Sequence, residues 1–155
     1  MPKVPHTGFI TVTDTVHPVT GVDTGPYAHR ILGDAAGLTQ FGAHLERLPP
    51  GSRSALRHWH ETEEELVHVL DGEVWLIEET ETLLHAGDTA AWPAGHPVGH
   101  CLENRGPGDA LYLTVGTRHV DDVVHYPDDG LTLHKTGRRR RFVRADGSVA
   151  ADYEK

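Results

Sequence analysis

Two histidines separated by a single residue, His58 and His60, open the stretch richest in chemistry, and Glu65 follows five positions later. In an extended strand, residues two apart project from the same face with Cα atoms roughly 6.6 Å apart, which lets two imidazoles reach one ion. Glu65 heads the run Glu65-Leu66-Val67-His68-Val69-Leu70, which ends at Asp71-Gly72, so its carboxylate is expected at the start of a neighbouring strand. Glu61, Glu63 and Glu64 crowd the same approach, and Glu64 competes with Glu65 for the role of acid. Two imidazole nitrogens and one carboxylate with open positions form the facial set favoured by Fe(II), and Zn, Mn, Ni or Co can occupy similar shells. A carboxylate that leaves the ion could serve as a general base, which makes Glu65 the candidate catalytic residue.

Positioning such groups calls for short strands, and the pattern between Gln40 and Thr117 supplies them. Apolar bursts or alternating runs, punctuated by Gly, Pro and Asp, predict strands at 41–48, 55–60, 65–70, 73–78, 82–85, 89–92, 100–103 and 110–115. Turn formers stand between them at Pro49-Pro50-Gly51, Asp71-Gly72, Ala86-Gly87-Asp88, Pro93-Ala94-Gly95 and Gly106-Pro107-Gly108. So many short strands imply an all-β closed sheet or sandwich. Residues 1–39 read as an N-terminal arm that can add edge strands, 40–118 as the barrel, and 119–155 as an irregular polar C-terminal extension. The four arginines at 138–141 are expected on a solvated or salt-bridged face.

These residues resemble the cupin superfamily. Its first motif is matched by Gly51, His58, His60, Glu65 and Gly72, and the spacing on both sides selects Glu65 over Glu64. Its second motif is matched by Gly87, Pro93, Gly95, His100 and Asn104, although the interval from Gly95 to His100 is two residues longer than the family pattern. His96 is the rival ligand, and His100 is preferred because Asn104 follows it at the family's closing interval. The resemblance covers about the middle half of the chain. It implies a double-stranded β-helix, or jelly-roll barrel, holding one divalent metal between His58, His60, Glu65 and His100. It also implies a homodimer whose N-terminal arm exchanges strands.

For function, the ligand types point to a metal-dependent enzyme acting on a small oxygenated organic molecule, with Fe(II) favoured and dioxygenase chemistry as the leading subclass. Isomerase or lyase chemistry, or non-catalytic small-molecule sensing, is the alternative. Gln40, His44 and Glu46 share one strand parity, and Tyr112 is the polar member of its strand, so Gln40, His44 and Tyr112 are candidates for the pocket lining. His68 and Trp92 are read as packing residues, and Cys101 has parity opposite to His100 and is expected to pack behind the sheet. A nucleophile elbow and a phosphate-cradling loop are both missing from the sequence.

The net charge of −9, from 23 acidic and 14 basic residues, repels phosphate backbones and argues against nucleic acid as a partner. Every apolar run is interrupted well before a membrane span, and the single cysteine and polar N-terminus fit a cytoplasmic location.

Overall fold

The computed structural model describes residues 3–155. At Gly72 the chain passes from one sheet to another, close against the backbone of Asp109 and Ala110. Gly72 has φ +75°, and a Cβ there would lie 2.8 Å from the Asp109 carbonyl oxygen. Only glycine meets both demands. The strand before this point, β5 (Glu65–Asp71), belongs to one wall of a barrel, and the strand after it, β6 (Glu73–Ile77), belongs to the other.

The first wall has six strands in the order β1 (Ile10–Val12), β2 (Tyr27–Ile31), β3 (Phe41–Leu48), β10 (Ala110–Thr117), β5 and β8 (Thr89–Trp92). The N-terminal arm thus supplies two edge strands, with a 3-10 turn at Asp34–Ala36 leading into β3. The second wall begins with β7 (Glu81–His85), β6 and β9 (Cys101–Glu103). Isolated bridges Arg53↔Glu103 and His58↔His100 connect it through residues 52–60 to β4 (Trp59–His60). From β4 the ladder continues into β11 (Asp121–Tyr126), β12 (Leu131–Thr136), β13 (Arg139–Arg144) and β14 (Val149–Glu154).

Two expectations are corrected here. The strand expected at 55–60 is regular only over Trp59–His60, because the chain bends away from the ladder between its bridges at Arg53 and His58. The extension expected to be irregular is instead an ordered sheet of four strands, β11 to β14. Each of these strands turns few apolar residues inward and many charges outward, so its period of two is faint in the sequence. Three of the four arginines of the run lie on β13, where Arg139 forms a forked pair with Asp152 at 2.8 and 2.6 Å.

Strand alternation gives the first wall an inner face arranged in rows. Leu48 faces Ala110; Glu46 faces Tyr112, which faces Val69; His44 faces Thr114, which faces Val67. The next row runs Gly42, Gly116, Glu65, Trp92. The buried core consists of Leu48, Val67, Val69, Val74, Leu76, Leu84, Trp92, Leu102, Ala110 and Tyr112. The barrel interior therefore changes from apolar at one end to polar towards the Gly42–Glu65 row. Asn104 closes the apolar end by donating to the Leu48 and Gly108 carbonyls at 2.7 and 2.8 Å and accepting from the Gly106 N–H at 2.9 Å.

A second, smaller core lies under the C-terminal sheet, where Val124, Leu133 and Phe142 pack with Val19, Tyr126, Ala150 and Ala151. His17 from the arm packs edge-on against Tyr126 and Phe142, with ring centroids 5.4 Å away in each case. Its Nδ1 accepts from the backbone N–H groups of Val19 and Thr20 at 3.3 and 3.2 Å, so that nitrogen is unprotonated in the fold. Among the described residues, no helix is long and apolar enough to cross a membrane.

Burial lowers the His17 pKa below 6.5, against a weaker opposing pull from Asp129. The unfolded chain therefore binds the proton first, so the contribution of His17 to stability is complete above pH 6.5 and declines as pH falls below it. His17→Gln keeps an acceptor but does not titrate. The difference in melting temperature between wild type and this variant should shrink between pH 7.5 and 5.5, whereas a constant difference would contradict the assignment.

Candidate metal centre

The two cupin-like motifs meet across the barrel. His58 and His100 are directly paired backbone to backbone on the second wall, with His58 N donating to His100 O at 3.1 Å and His100 N donating to His58 O at 3.0 Å. Glu65 stands opposite, on β5 of the first wall. One donor atom from each of His58, Glu65 and His100 falls within a mutual distance of 4.8 Å. His60 stands beside this trio on β4, its ring centroid 5.1 Å from that of His58, and lines the same cavity. The structure thus clusters three of the four expected ligands tightly and sets the fourth at their edge.

The outer partners of the imidazoles decide which nitrogen each can offer. His58 Nδ1 donates to the Leu56 carbonyl at 2.7 Å, and His100 Nδ1 lies 3.3 Å from the Val98 carbonyl. His60 Nδ1 donates to Asp122 Oδ2 at 2.6 Å. Carbonyls and carboxylates only accept, so Nδ1 of His58 and of His60 carries the hydrogen and their Nε2 atoms keep a lone pair, the arrangement typical of metal-bound histidine. His100, by contrast, faces an acceptor at each nitrogen, the Val98 carbonyl and the Glu65 carboxylate.

The charge states agree. Burial pushes the His58 imidazole down to about 4, outweighing the pull of Glu65, so it is neutral near pH 7. Burial works against an ionised Glu65, yet the hydrogen bond with His100 and the neighbouring imidazoles hold its carboxyl at about 2. The Glu65 Oε2 to His100 Nε2 distance is 3.2 Å. A neutral His58 imidazole and an ionised Glu65 carboxylate are ready donors for a divalent cation.

Trp92 does more than pack on its strand. Its ring stacks on His100 with centroids 3.6 Å apart and planes 6° apart, while its indole N–H donates to Glu78 Oε1 at 2.7 Å. His68 faces away from the cavity and is bonded to Thr89 Oγ1 at 2.8 Å. His96 is exposed on the turn before Val98, whereas His100 is 4% exposed, so the structure places His100 and not its rival at the site. Cys101 is buried, and burial raises its thiol to about 11, far from the reactive thiolate range.

His44 and Tyr112 line a cavity of about 230 Å³ together with the cluster residues, with Glu46, Thr114, Val67 and Leu102 among its other walls. Cys101, expected behind the sheet, borders it as well. Gln40 is corrected: it is exposed, lies before β3 begins, and contributes its backbone carbonyl to the Arg118 N–H at 3.1 Å. Strand parity does not extend to a residue that precedes the strand.

Asp122 is the functional residue that sequence reasoning missed. Its side chain is fully buried, and besides His60 it accepts from Thr62 N at 3.0 Å and Thr62 Oγ1 at 2.7 Å. Burial opposes its charge, but these hydrogen bonds keep its carboxyl below the usual range. It lies 62 residues from His60 in the segment taken for a tail. The only available signal was the alternation of Asp122, Val124 and Tyr126.

A family model described as "Cupin domain" matches residues 44–116. No curated protein matches the chain. Among solved structures, a sugar phosphate isomerase from a cupin superfamily of Silicibacter pomeroyi is 36% identical, with 95% of each chain covered and a TM-score of 0.85. A protein of Acidithiobacillus ferrooxidans named as a candidate sugar phosphate isomerase is 32% identical over 79% of each chain, with a TM-score of 0.77. A predicted oxalate decarboxylase of Thermotoga maritima is 28% identical, covering 61% of this chain and 83% of that one, with a TM-score of 0.53.

Losing the outer partner of a histidine ligand typically weakens metal affinity about ten- to a hundredfold. Asp122→Asn should have this effect on divalent-ion binding, read by competition with a chromogenic chelator, while the circular dichroism spectrum stays unchanged. Unaltered affinity would remove His60 from the metal shell.

Proposed function

The chain belongs to the cupin superfamily, and on that premise we propose that it is a metal-dependent isomerase of small α-hydroxy carbonyl compounds, with sugar phosphates as the substrate class. The observation that carries this reading is the His58–Glu65–His100 cluster, set in a cavity that His44, Glu46, Tyr112 and Thr114 also line. Two relatives above 30% identity described as sugar phosphate isomerases support it.

A divalent cation held by His58, Glu65 and His100, with His60 beside them, would supply Lewis acidity at a substrate carbonyl or hydroxyl oxygen. The chain's own residues prepare the rest. Glu65 is ionised without metal, and His58 presents a lone pair without first losing a proton. Trp92 fixes the plane of His100, and Asp122 fixes His60. Val67, Leu102 and Trp92 give the cavity a water-excluding floor. The other polar groups lining it can accept and donate to substrate hydroxyls.

Dioxygenase chemistry, the first expectation from the ligand types, has only those ligand types behind it. The isomerase reading draws on the same donors and also on the two relatives.

The test starts with metal analysis of the purified chain and reloading with Fe(II), Mn, Zn, Ni or Co. Triose, pentose and hexose phosphates are then followed by NMR. Interconversion of an aldose and a ketose phosphate that stops on chelation, and is absent in His58→Gln, is the expected result. A metal-loaded protein that converts none of them, or that consumes oxygen with a diketone or keto acid instead, would falsify the proposal.

A further inference from the structure

Facing the candidate histidine ligands, and on the same wall as Glu65, lies a second carboxylate that the metal centre does not use. Glu46 lies on the inner face of β3 with its side chain 16% exposed, directly opposite Tyr112 on β10. Its Oε2 accepts a 2.5 Å hydrogen bond from the Tyr112 hydroxyl. Its Oε1 is 2.8 Å from His44 Nε2. Tyr112 is 1% exposed, and burial holds its proton well above the usual phenol range, so it acts as a donor.

A carboxylate only accepts, so the neutral His44 ring carries its hydrogen on Nε2 and leaves a lone pair on Nδ1. Among the described residues, Nδ1 of His44 has no hydrogen-bond partner, and the ring lines the cavity that His58, His60, Glu65 and His100 also line. His44 and Glu65 stand on strands separated by β10, a gap of roughly 10 Å at ordinary strand spacing. That gap accommodates a short carbon chain between imidazole and carboxylate. A base whose second nitrogen is fixed by a carboxylate, itself fixed by a third group, is the arrangement that proton transfer requires.

We propose that His44 is the base that moves the carbon-bound proton of an α-hydroxy carbonyl substrate in this cavity, with Glu46 and Tyr112 as positioning residues behind it. This rests on the isomerase reading. His44 Nδ1 takes the proton from C2 of an aldose. The C2–H bonding pair becomes the C1=C2 bond, and the carbonyl π pair moves onto O1. The imidazolium returns the proton to C1 as the C2=O bond forms, and the hydroxyl proton passes from O2 to O1. No oxidant or further reactant is needed.

The pH dependence reflects everything that faces His44. Glu46 lies beside it, Tyr112 on β10, Glu65 on β5, Arg118 past the end of β10, and Asp34 in the 3-10 turn, while His60, Glu63 and Glu64 border the cavity mouth. Glu46 raises the imidazole's pKa, so the activity of the base grows as pH rises through that value. Replacing the carboxylate by an amide moves the acidic limb of the profile to lower pH.

The experiment uses the full chain loaded with Mn(II), as wild type, His44→Gln, Glu46→Gln and Tyr112→Phe. Deuterium uptake from D₂O into dihydroxyacetone phosphate and glucose 6-phosphate is read by proton NMR. Metal content is read by elemental analysis. The His44 ring tautomer and pKa are read by nitrogen NMR on the metal-free chain, which avoids paramagnetic broadening. General-base catalysis is typically worth about 10²- to 10⁴-fold, so His44→Gln should lose at least about a hundredfold of the exchange rate at full metal content. Glu46→Gln and Tyr112→Phe should exchange more slowly, with the acidic limb displaced downward in Glu46→Gln, and the wild-type ring should be the Nε2–H tautomer.

Unchanged exchange in metal-replete His44→Gln, or a ring protonated on Nδ1, overturns the proposal. An unmoved limb in Glu46→Gln removes Glu46 from it. If wild type exchanges neither probe, the isomerase reading fails. The His44–Glu46 pair then stands only if the ring is the Nε2–H tautomer and its pKa falls in Glu46→Gln, and is otherwise overturned.

Discussion

The contact between Glu65 and His100 joins the two walls of the barrel at the point where both would otherwise bury unpaired polar groups. Glu65 comes from β5 and His100 from the opposite ladder, and their side chains lie 3.2 Å apart with relative exposures of 25% and 5%. A buried carboxylate is costly unless compensated, and much of that compensation here comes from imidazoles on the other wall. The contact therefore makes the site depend on closure of the barrel: if the walls part, the carboxylate loses its partner and the donors no longer share one point. A cation between them would strengthen the same constraint.

The barrel is built to hold that point still. His100 is clamped by the Trp92 ring on one face and by the backbone pairing with His58 along its strand. His60 is anchored by Asp122, which is itself anchored through Thr62 and carried on β11. The C-terminal sheet thus reaches the metal centre through one side chain, and its own small core around Phe142 keeps β11 in register. Most of the polar interior is paired by a specific partner from another strand, which is what low-dielectric burial demands.

The inner rows of the first wall explain why the cavity has two chemically different sides. Alternation places His44, Glu46 and Tyr112 on the inner face beside Val67 and Val69, while in the row beyond them Gly42 and Gly116 leave β3 and β10 without side chains next to Glu65. The histidine ligands come from the second wall, and Glu65 shares the first wall with the Tyr112–Glu46–His44 chain. An acid-stabilising centre facing an oriented imidazole suits movement of a proton along a short oxygenated carbon skeleton.

Sequence alone determined most strands of the barrel and marked the candidate ligands, because both depend on short-range order. Alternation marked β3 and β8 at their observed boundaries, the HxH spacing put His58 and His60 on one face, and Gly72 marked the crossing between walls. Choosing Glu65 over Glu64 and His100 over His96 needed the resemblance, since local chemistry offers both members of each pair. Only the tertiary structure could reveal Asp122 as the partner of His60, the stacking of Trp92 on His100, and the ordered sheet made from residues 121–154. It also moved Gln40 to the exterior. The physical reason is the same in each case: which side chains meet across a barrel is set by strand order and register between distant segments, and a charged strand declares its few inward residues only once the surface they cover is in place.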